Sequence, residues 1–253
     1  MNRVLAAGLL FCGFLQAQDR RVPVVVELFT SEACASCPPA EELLAGLERT
    51  QPVPGVRIIA LEEHVDYWNQ LGWTDPFSAP QFHARQNEYA LAAHVENIYT
   101  PQMIVNGQVG FEGGDAHRAY EEIGRVAQPP ITSVDLSTAP NARDGELIDL
   151  TVRISNSKNA KLHEANLYLA VTESELRARV AGGENAGRML RHSEVVRSFN
   201  AIGRIDPQGA GGGQVVSTLR LPSAWRRQYL HAVVFVQEKQ TLRITGAGTI
   251  DLH

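Results

Sequence analysis

Residues 22–44 read VPVVVELFTSEACASCPPAEELL. The first eight, VPVVVELF, are a β-branched apolar run suited to a buried strand. Pro23 stands near its start, where a missing amide proton is tolerated. Two cysteines follow at once, Cys34 and Cys37, with Ala35 and Ser36 between them. Leu43, Leu44 and Leu47 then share one helical face, and Pro38 and Pro39 fit only a first helical turn. Glu41 and Glu42 suit the positive end of that helix. The stretch therefore reads as strand, cysteine pair, helix, with both thiols at or just before the helix N-terminus.

Downstream, VRIIAL (residues 56–61) is a second strand of buried type, and it runs into the polar, aromatic EEHVDYWNQLGW. Ser78 followed by Gln81 has the spacing of a capping box, opening a helix to about Ala93. Asn106-Gly107 between two apolar runs signals a hairpin. An amphipathic helix spans Asp115 to Val126. Strands alternating with helices give a mixed-sheet α/β layer over residues 22–127. A CxxC after the first strand of such a layer reads as a thioredoxin-like redox motif.

Gln128-Pro129-Pro130 breaks the pattern. Beyond it, Ile148, Leu150, Val152 and Ile154 alternate with polar residues, as do Leu167, Leu169 and Val171. Residues 214–221 and 230–237 are further strand candidates, 209–213 a glycine-rich loop, and SELRARV (174–180) a short helix. Residues 131–253 thus read as an all-β, sandwich-like domain.

The 253 residues carry a formal charge of −5 and no basic block, so no footprint for nucleic acid is present. Residues 1–17 read as an export signal: Arg3, an apolar run from Val4 to Leu15, then Leu15-Gln16-Ala17. That run is too short to span a bilayer, and no later stretch is long and apolar enough. Cys12 would leave with the signal; Phe11 before it argues against a lipoprotein. Cys34 and Cys37 would then stand alone in a compartment that permits disulfides, periplasmic or secreted.

A disulfide closing so short a loop removes little unfolded-state entropy, so a mere staple explains the pair poorly. A helix N-terminus favours thiolate through its unpaired amides and dipole. Cys34, coming first, is the expected nucleophile and Cys37 the resolving thiol. Glu27 lies within the apolar first strand, either water-satisfied at an edge or a proton acceptor behind the cysteines. His64, with Asp66, Tyr67 and Trp68, follows the second strand at the same sheet end; it is either a hydrogen-bonded loop residue or a group that tunes Cys34 or ligates a metal. Pro101 would place backbone beside the sulfurs if its peptide bond were cis, against the general preference for trans. No cofactor is implied.

VELFTSEACASCPPAEELL, HVDYWNQLGWTDPFSAPQFHARQNEYA and YTPQMIVNG resemble the exported bacterial family catalogued as domain of unknown function 1223, as do GGENAGRMLRHSEVVRSF and VVFVQE. The resemblance covers nearly the whole chain after the signal. It implies a thioredoxin-like fold and an envelope location, with no established activity. Ala33 stands where that family usually has glycine, which matters only if the position needs a positive φ. Thioredoxins proper are more distantly similar: Glu27 corresponds to their buried acid with about one residue of extra spacing, and Pro101 to their cis-proline, whereas prolines follow Cys37 directly here.

Three functions fit. The first is a thiol–disulfide oxidoreductase acting on protein thiols or disulfides of the envelope. The second is a copper-binding module using Cys34, Cys37 and His64. The third is a non-catalytic binding protein with its working surface in residues 131–253. There, Arg188, Arg191, His192 and Arg197 either face the first half or, as the preferred reading, lie on solvated strand edges.

Overall fold

A computed structural model describes residues 21–157, 163–206 and 212–253. The proposed export signal, and most of the glycine-rich loop at 209–213, fall outside the described residues. In the first half, strand β1 (Val22–Thr30) leads into helix α1 (Cys37–Thr50), β2 (Val56–His64) and α2 (Pro80–Ala92). A hairpin of β3 (Gln102–Val105) and β4 (Val109–Glu112) and helix α3 (Ala116–Val126) complete it. The second half is strands: β5 (Thr132–Pro140), β6 (Leu147–Asn156), β7 (Ala165–Glu173), β8 (Leu176–Arg179), β9 (Met189–His192), β10 (Val195–Ile205), β11 (Gly212–Arg220), β12 (Leu230–Glu238) and β13 (Ile244–Asp251).

The local signals explain several elements. Asn106 (φ 52°) and Gly107 (φ 68°) both adopt left-handed backbone, as the tight turn closed by the Gln108 amide on the Val105 carbonyl requires. A Cβ at Gly107 would also lie 2.0 Å from the Leu242 carbonyl oxygen, so only glycine fits there. Asp115 caps α3 by accepting from the Arg118 amide at 3.0 Å. The capping box at Ser78 does not form: α2 begins after Ala79, and Ser78 Oγ donates instead to the Asp75 carbonyl. SELRARV is not a helix either. Its Leu176–Arg179 pairs antiparallel with Met189–His192, and that cross-strand pairing outweighs the helical propensity of the segment.

The expected architecture, a thioredoxin-like α/β domain followed by a separate all-β sandwich, is overturned. One mixed sheet of eight strands, in the order β13-β12-β7-β10-β2-β1-β3-β4, runs through both halves of the chain. With three helices against thirteen strands, the described residues are mostly β. The physical reason lies at β2. Its outer edge is not left open, because β10 joins it in parallel through Val195 opposite Glu62. Of the other five strands, β8 and β9 form a two-stranded sheet, and β11-β6-β5 form a three-stranded sheet stacked on the β7–β12–β13 part of the first.

Three apolar clusters fill the molecule. Val24, Val26 and Leu28 on one face of β1 pack with Leu44 and Leu47 of α1 and Ile123 of α3. Val25 and Phe29 on the opposite face meet Phe82 and Tyr89 of α2, then Val196 and Phe235 from the second half. The third lies between the sheets, where β13 passes so close to β5 that a Cβ at Gly246 would sit 1.8 Å from the Thr132 carbonyl oxygen. No helix among the described residues is long and apolar enough to cross a membrane.

Candidate functional site

Cys34 and Cys37 form a disulfide between the end of β1 and the first residue of α1, with their Cα atoms 5.5 Å apart. Both are buried, at 1% and 0% exposure. Ser36, the exposed residue before α1, places its hydroxyl 3.4 Å from Cys34 Sγ. The Thr100 carbonyl oxygen lies 3.9 Å from the same sulfur, and the Thr100–Pro101 peptide bond is cis. The pair and Pro101 are therefore neighbours. Trp68 tethers this corner by donating from its indole to Thr100 Oγ1 at 2.8 Å.

The second half of the chain covers the pair. Asn185 donates its side-chain amide to the carbonyls of Glu32 (2.9 Å) and Cys34 (2.8 Å). Glu184 accepts from the Ala35 amide at 2.8 Å, and its own amide donates to the Ala33 carbonyl. Gly183, at φ +69°, fits closely over Ala33: a Cβ there would lie 3.1 Å from the alanine methyl. Ala33 itself does not have a positive φ, so the position does not require glycine.

Beneath the disulfide lies a buried polar cluster. His64 at the end of β2 sits between Asp75 Oδ2 (2.7 Å from Nδ1) and Glu62 Oε1 (2.9 Å from Nε2). His192 on β9 approaches the same Glu62 Oε1 with Nδ1 at 2.9 Å and Glu32 Oε1 with Nε2 at 3.2 Å. Glu41 Oε2 stands 3.4 Å from His192 Nδ1, while its Oε1 accepts from the Thr30 hydroxyl. Trp73 donates to Glu32 Oε2, and the Glu32 amide donates to Asp75. Burial alone would push the His64 imidazole down, but the Asp75 and Glu62 carboxylates outweigh it and raise its pKa to about 10. His192 is raised in the same way, chiefly by Glu62 against the cost of burial. Glu62 is lowered to about 2: burial opposes ionisation, and the two histidines overcome it.

Glu27 is fully buried on the other face of the sheet. Its oxygens accept from Arg85 Nε and from Tyr89 Oη of α2. Arg85 also donates to Gln237 Oε1 at 3.1 Å, and its guanidinium lies over the rings of Tyr89, Tyr168, Phe199 and Phe235 at 4.8 to 5.4 Å. Glu63 lies 3.6 Å from Arg85 Nε, and its carboxyl is raised well above its ordinary value, mainly by burial and then by Glu27. Of the residues picked from the sequence, Cys34, Cys37 and Pro101 come together. His64 lies in the polar cluster with both ring nitrogens occupied, and Glu27 belongs to the Arg85 cluster. His192 is buried rather than on a solvated edge; Arg188 bonds Asn185, and Arg197 bonds Glu173. Glu32, Glu41, Glu62, Asp75 and Arg85 escaped the sequence reading. The one local signal was Glu62-Glu63-His64, three titratable residues extending an apolar strand.

Beside the cluster, His231 pairs with Glu194 at 3.2 Å and with Asp251 at 3.6 Å. The Glu194 hydrogen bond raises His231 above its ordinary 6.5, against partial burial. Burial would raise Glu194, but His231 and two hydroxyls lower it below 4.5. The His231 contribution is complete below pH 6.5 and is lost as pH rises through the folded value. The Glu194 contribution is complete above pH 4.5 and is lost as pH falls through its own. A His231→Gln variant should therefore trail the parent most between those two values, by about 1 kcal/mol in urea unfolding, and less at pH 8. A deficit of constant size across that range would remove the pair as its cause.

The chain belongs to the family described as protein of unknown function (DUF1223), matched over residues 25–237. A comparison with curated proteins finds no match. Among solved structures, a protein from Agrobacterium tumefaciens is similar over 92% of this chain and 96% of its own, at 27% identity and a TM-score of 0.68. HBP35 of Porphyromonas gingivalis is similar over 92% of this chain and 76% of its own, at 15% identity and a TM-score of 0.68, a likeness of fold alone.

Proposed function

We propose that Cys34 and Cys37 are a dithiol–disulfide couple that exchanges with protein thiols or disulfides of the cell envelope. The observation behind this reading is a disulfide placed at the head of α1, across a sequence separation of only 3. Such a short closure contributes little to stability, whereas the helix N-terminus lowers the pKa of a released thiol. In the reduced protein, the Cys34 thiolate attacks one sulfur of a partner disulfide. The Cys34–partner bond forms, and the partner's other sulfur leaves as thiolate. Cys37 then attacks Cys34 Sγ, restoring the intramolecular disulfide and releasing the partner as a dithiol. The proton shed by Cys34 leaves through the exposed Ser36 hydroxyl. Oxidation of a partner dithiol follows the same steps in reverse.

Burial of both sulfurs favours a second reading, a structural disulfide in a non-catalytic binding protein. The copper module has less support, because both His64 nitrogens face carboxylates rather than sulfur.

A redox titration of the purified protein, with thiols trapped by alkylation and read by mass, separates the two supported readings. Exchange requires a reversible two-electron couple between roughly −120 and −270 mV. A Cys37→Ser variant should then accumulate a mixed disulfide on Cys34. A pair still oxidised below about −300 mV is structural, and the catalytic reading falls.

A further inference from the structure

Two histidines and one glutamate of the buried cluster converge as ligands do, with a second glutamate, Glu41, beside His192. One atom each from Glu62, His64 and His192 lies within 4.8 Å of the others, and all three residues are buried. Asp75 anchors His64 at Nδ1, and Glu32 anchors His192 at Nε2. The inward nitrogens, His64 Nε2 and His192 Nδ1, both face Glu62 Oε1 at 2.9 Å, so an ion bound between them would replace the two inward protons. Metal-binding histidines have this arrangement, with the far N–H anchored on a carboxylate. A hydrogen-bond network alone needs a proton on each inward nitrogen to satisfy it; one divalent ion supplies the same charge.

We infer that Glu62, His64 and His192, with Glu41 as the fourth ligand, form a closed site for a divalent transition-metal ion such as Zn2+. Zinc bonds of about 2.0–2.2 Å place tetrahedral ligand atoms about 3.4 Å apart. The contacts made by Glu62 Oε1 need to open by only a few tenths of an ångström, and Glu41 Oε2 already stands 3.4 Å from His192 Nδ1. Two imidazoles and two carboxylates suit a borderline ion better than Ca2+ or Mg2+, which take oxygen ligands. All four ligands are buried, with no position open to substrate, so the site is structural. It ties β2 and α1 to β9 and so fastens the second half of the chain onto the first. The site uses neither cysteine and does not depend on the thiol chemistry.

The test uses the full chain, stripped by chelator and titrated with Zn2+ or Co2+ alone. One ion should bind per chain. The cobalt form should show ligand-field bands without a thiolate charge-transfer band, and the Cys34→Ser/Cys37→Ser variant should bind equally. His64→Gln, its fold checked by circular dichroism, should bind at least about 100-fold more weakly. If that variant does not fold, X-ray absorption of the zinc-loaded parent decides: a shell of nitrogen and oxygen with imidazole scattering supports the site. Absence of binding to the folded parent overturns it. So does a sulfur shell, or loss of binding in the cysteine variant.

Discussion

Replacing Arg85 by methionine should destabilise the protein by about 3–5 kcal/mol, read as a fall in the urea midpoint. Methionine keeps much of the side-chain volume, so the loss is mainly electrostatic. Glu27 would lose its cationic partner in a fully buried position, with Tyr89 as its remaining donor. Glu63 alongside is another carboxyl and offers no positive counter-charge. The four rings around the guanidinium would lose a cation, worth about 1–2 kcal/mol when desolvated. A paired change provides the control. Arg85→Met with Glu27→Leu removes both charges and should recover most of the loss, because burying an ion pair is costly in itself. If the double variant is as unstable as the single, the cluster acts by shape rather than charge.

Asn185→Ala should speed reduction of the Cys34–Cys37 disulfide by dithiothreitol about tenfold. Asn185 is fully buried, and its amide spans two carbonyls, one belonging to Cys34 itself. Removing it leaves the Glu32 carbonyl without that donor and the Cys34 carbonyl with only the Cys37 amide at 3.3 Å, which costs about 1–3 kcal/mol. Since 1.4 kcal/mol changes a population tenfold, the uncovered state becomes that much more frequent while global stability still holds the rest of the fold. Reduction at sub-denaturing conditions follows that local population. An unchanged rate would mean that the reductant reaches the sulfurs by another route, and the covering role would be withdrawn.

What the sequence disclosed is what periodicity and local chemistry encode. VPVVVELFT, the helix after Cys37, the Asn106-Gly107 turn and the capped α3 are decided by residues within a few positions of one another. Which sheet a strand joins is not. The alternation in β7 marks two faces, but nothing local says that β10 will lie beside both β7 and β2. The two-domain expectation failed at that seam. The site divides along the same line. The cysteines and Pro101 were visible because motif and turn chemistry are local. Arg85 was not, because in QFHARQNEYA it reads as one more polar residue on a helix. Its burial comes from Tyr168, Phe199 and Phe235, at least 83 positions away in the chain. His192 was misplaced for the same reason: its partners Glu32, Glu41 and Glu62 all come from the other half.

The seam also imposes a timetable. During synthesis β1 to β4 can pair as soon as residues 22–112 are out, but the free side of β2 waits for Val195. Until then Glu62 and His64 face water, and so does the end of β1 that Glu184 and Asn185 will later cover. The cysteines thus stand uncovered in the nascent chain until that segment arrives. Arrival of residues 183–195 closes the roof over the pair.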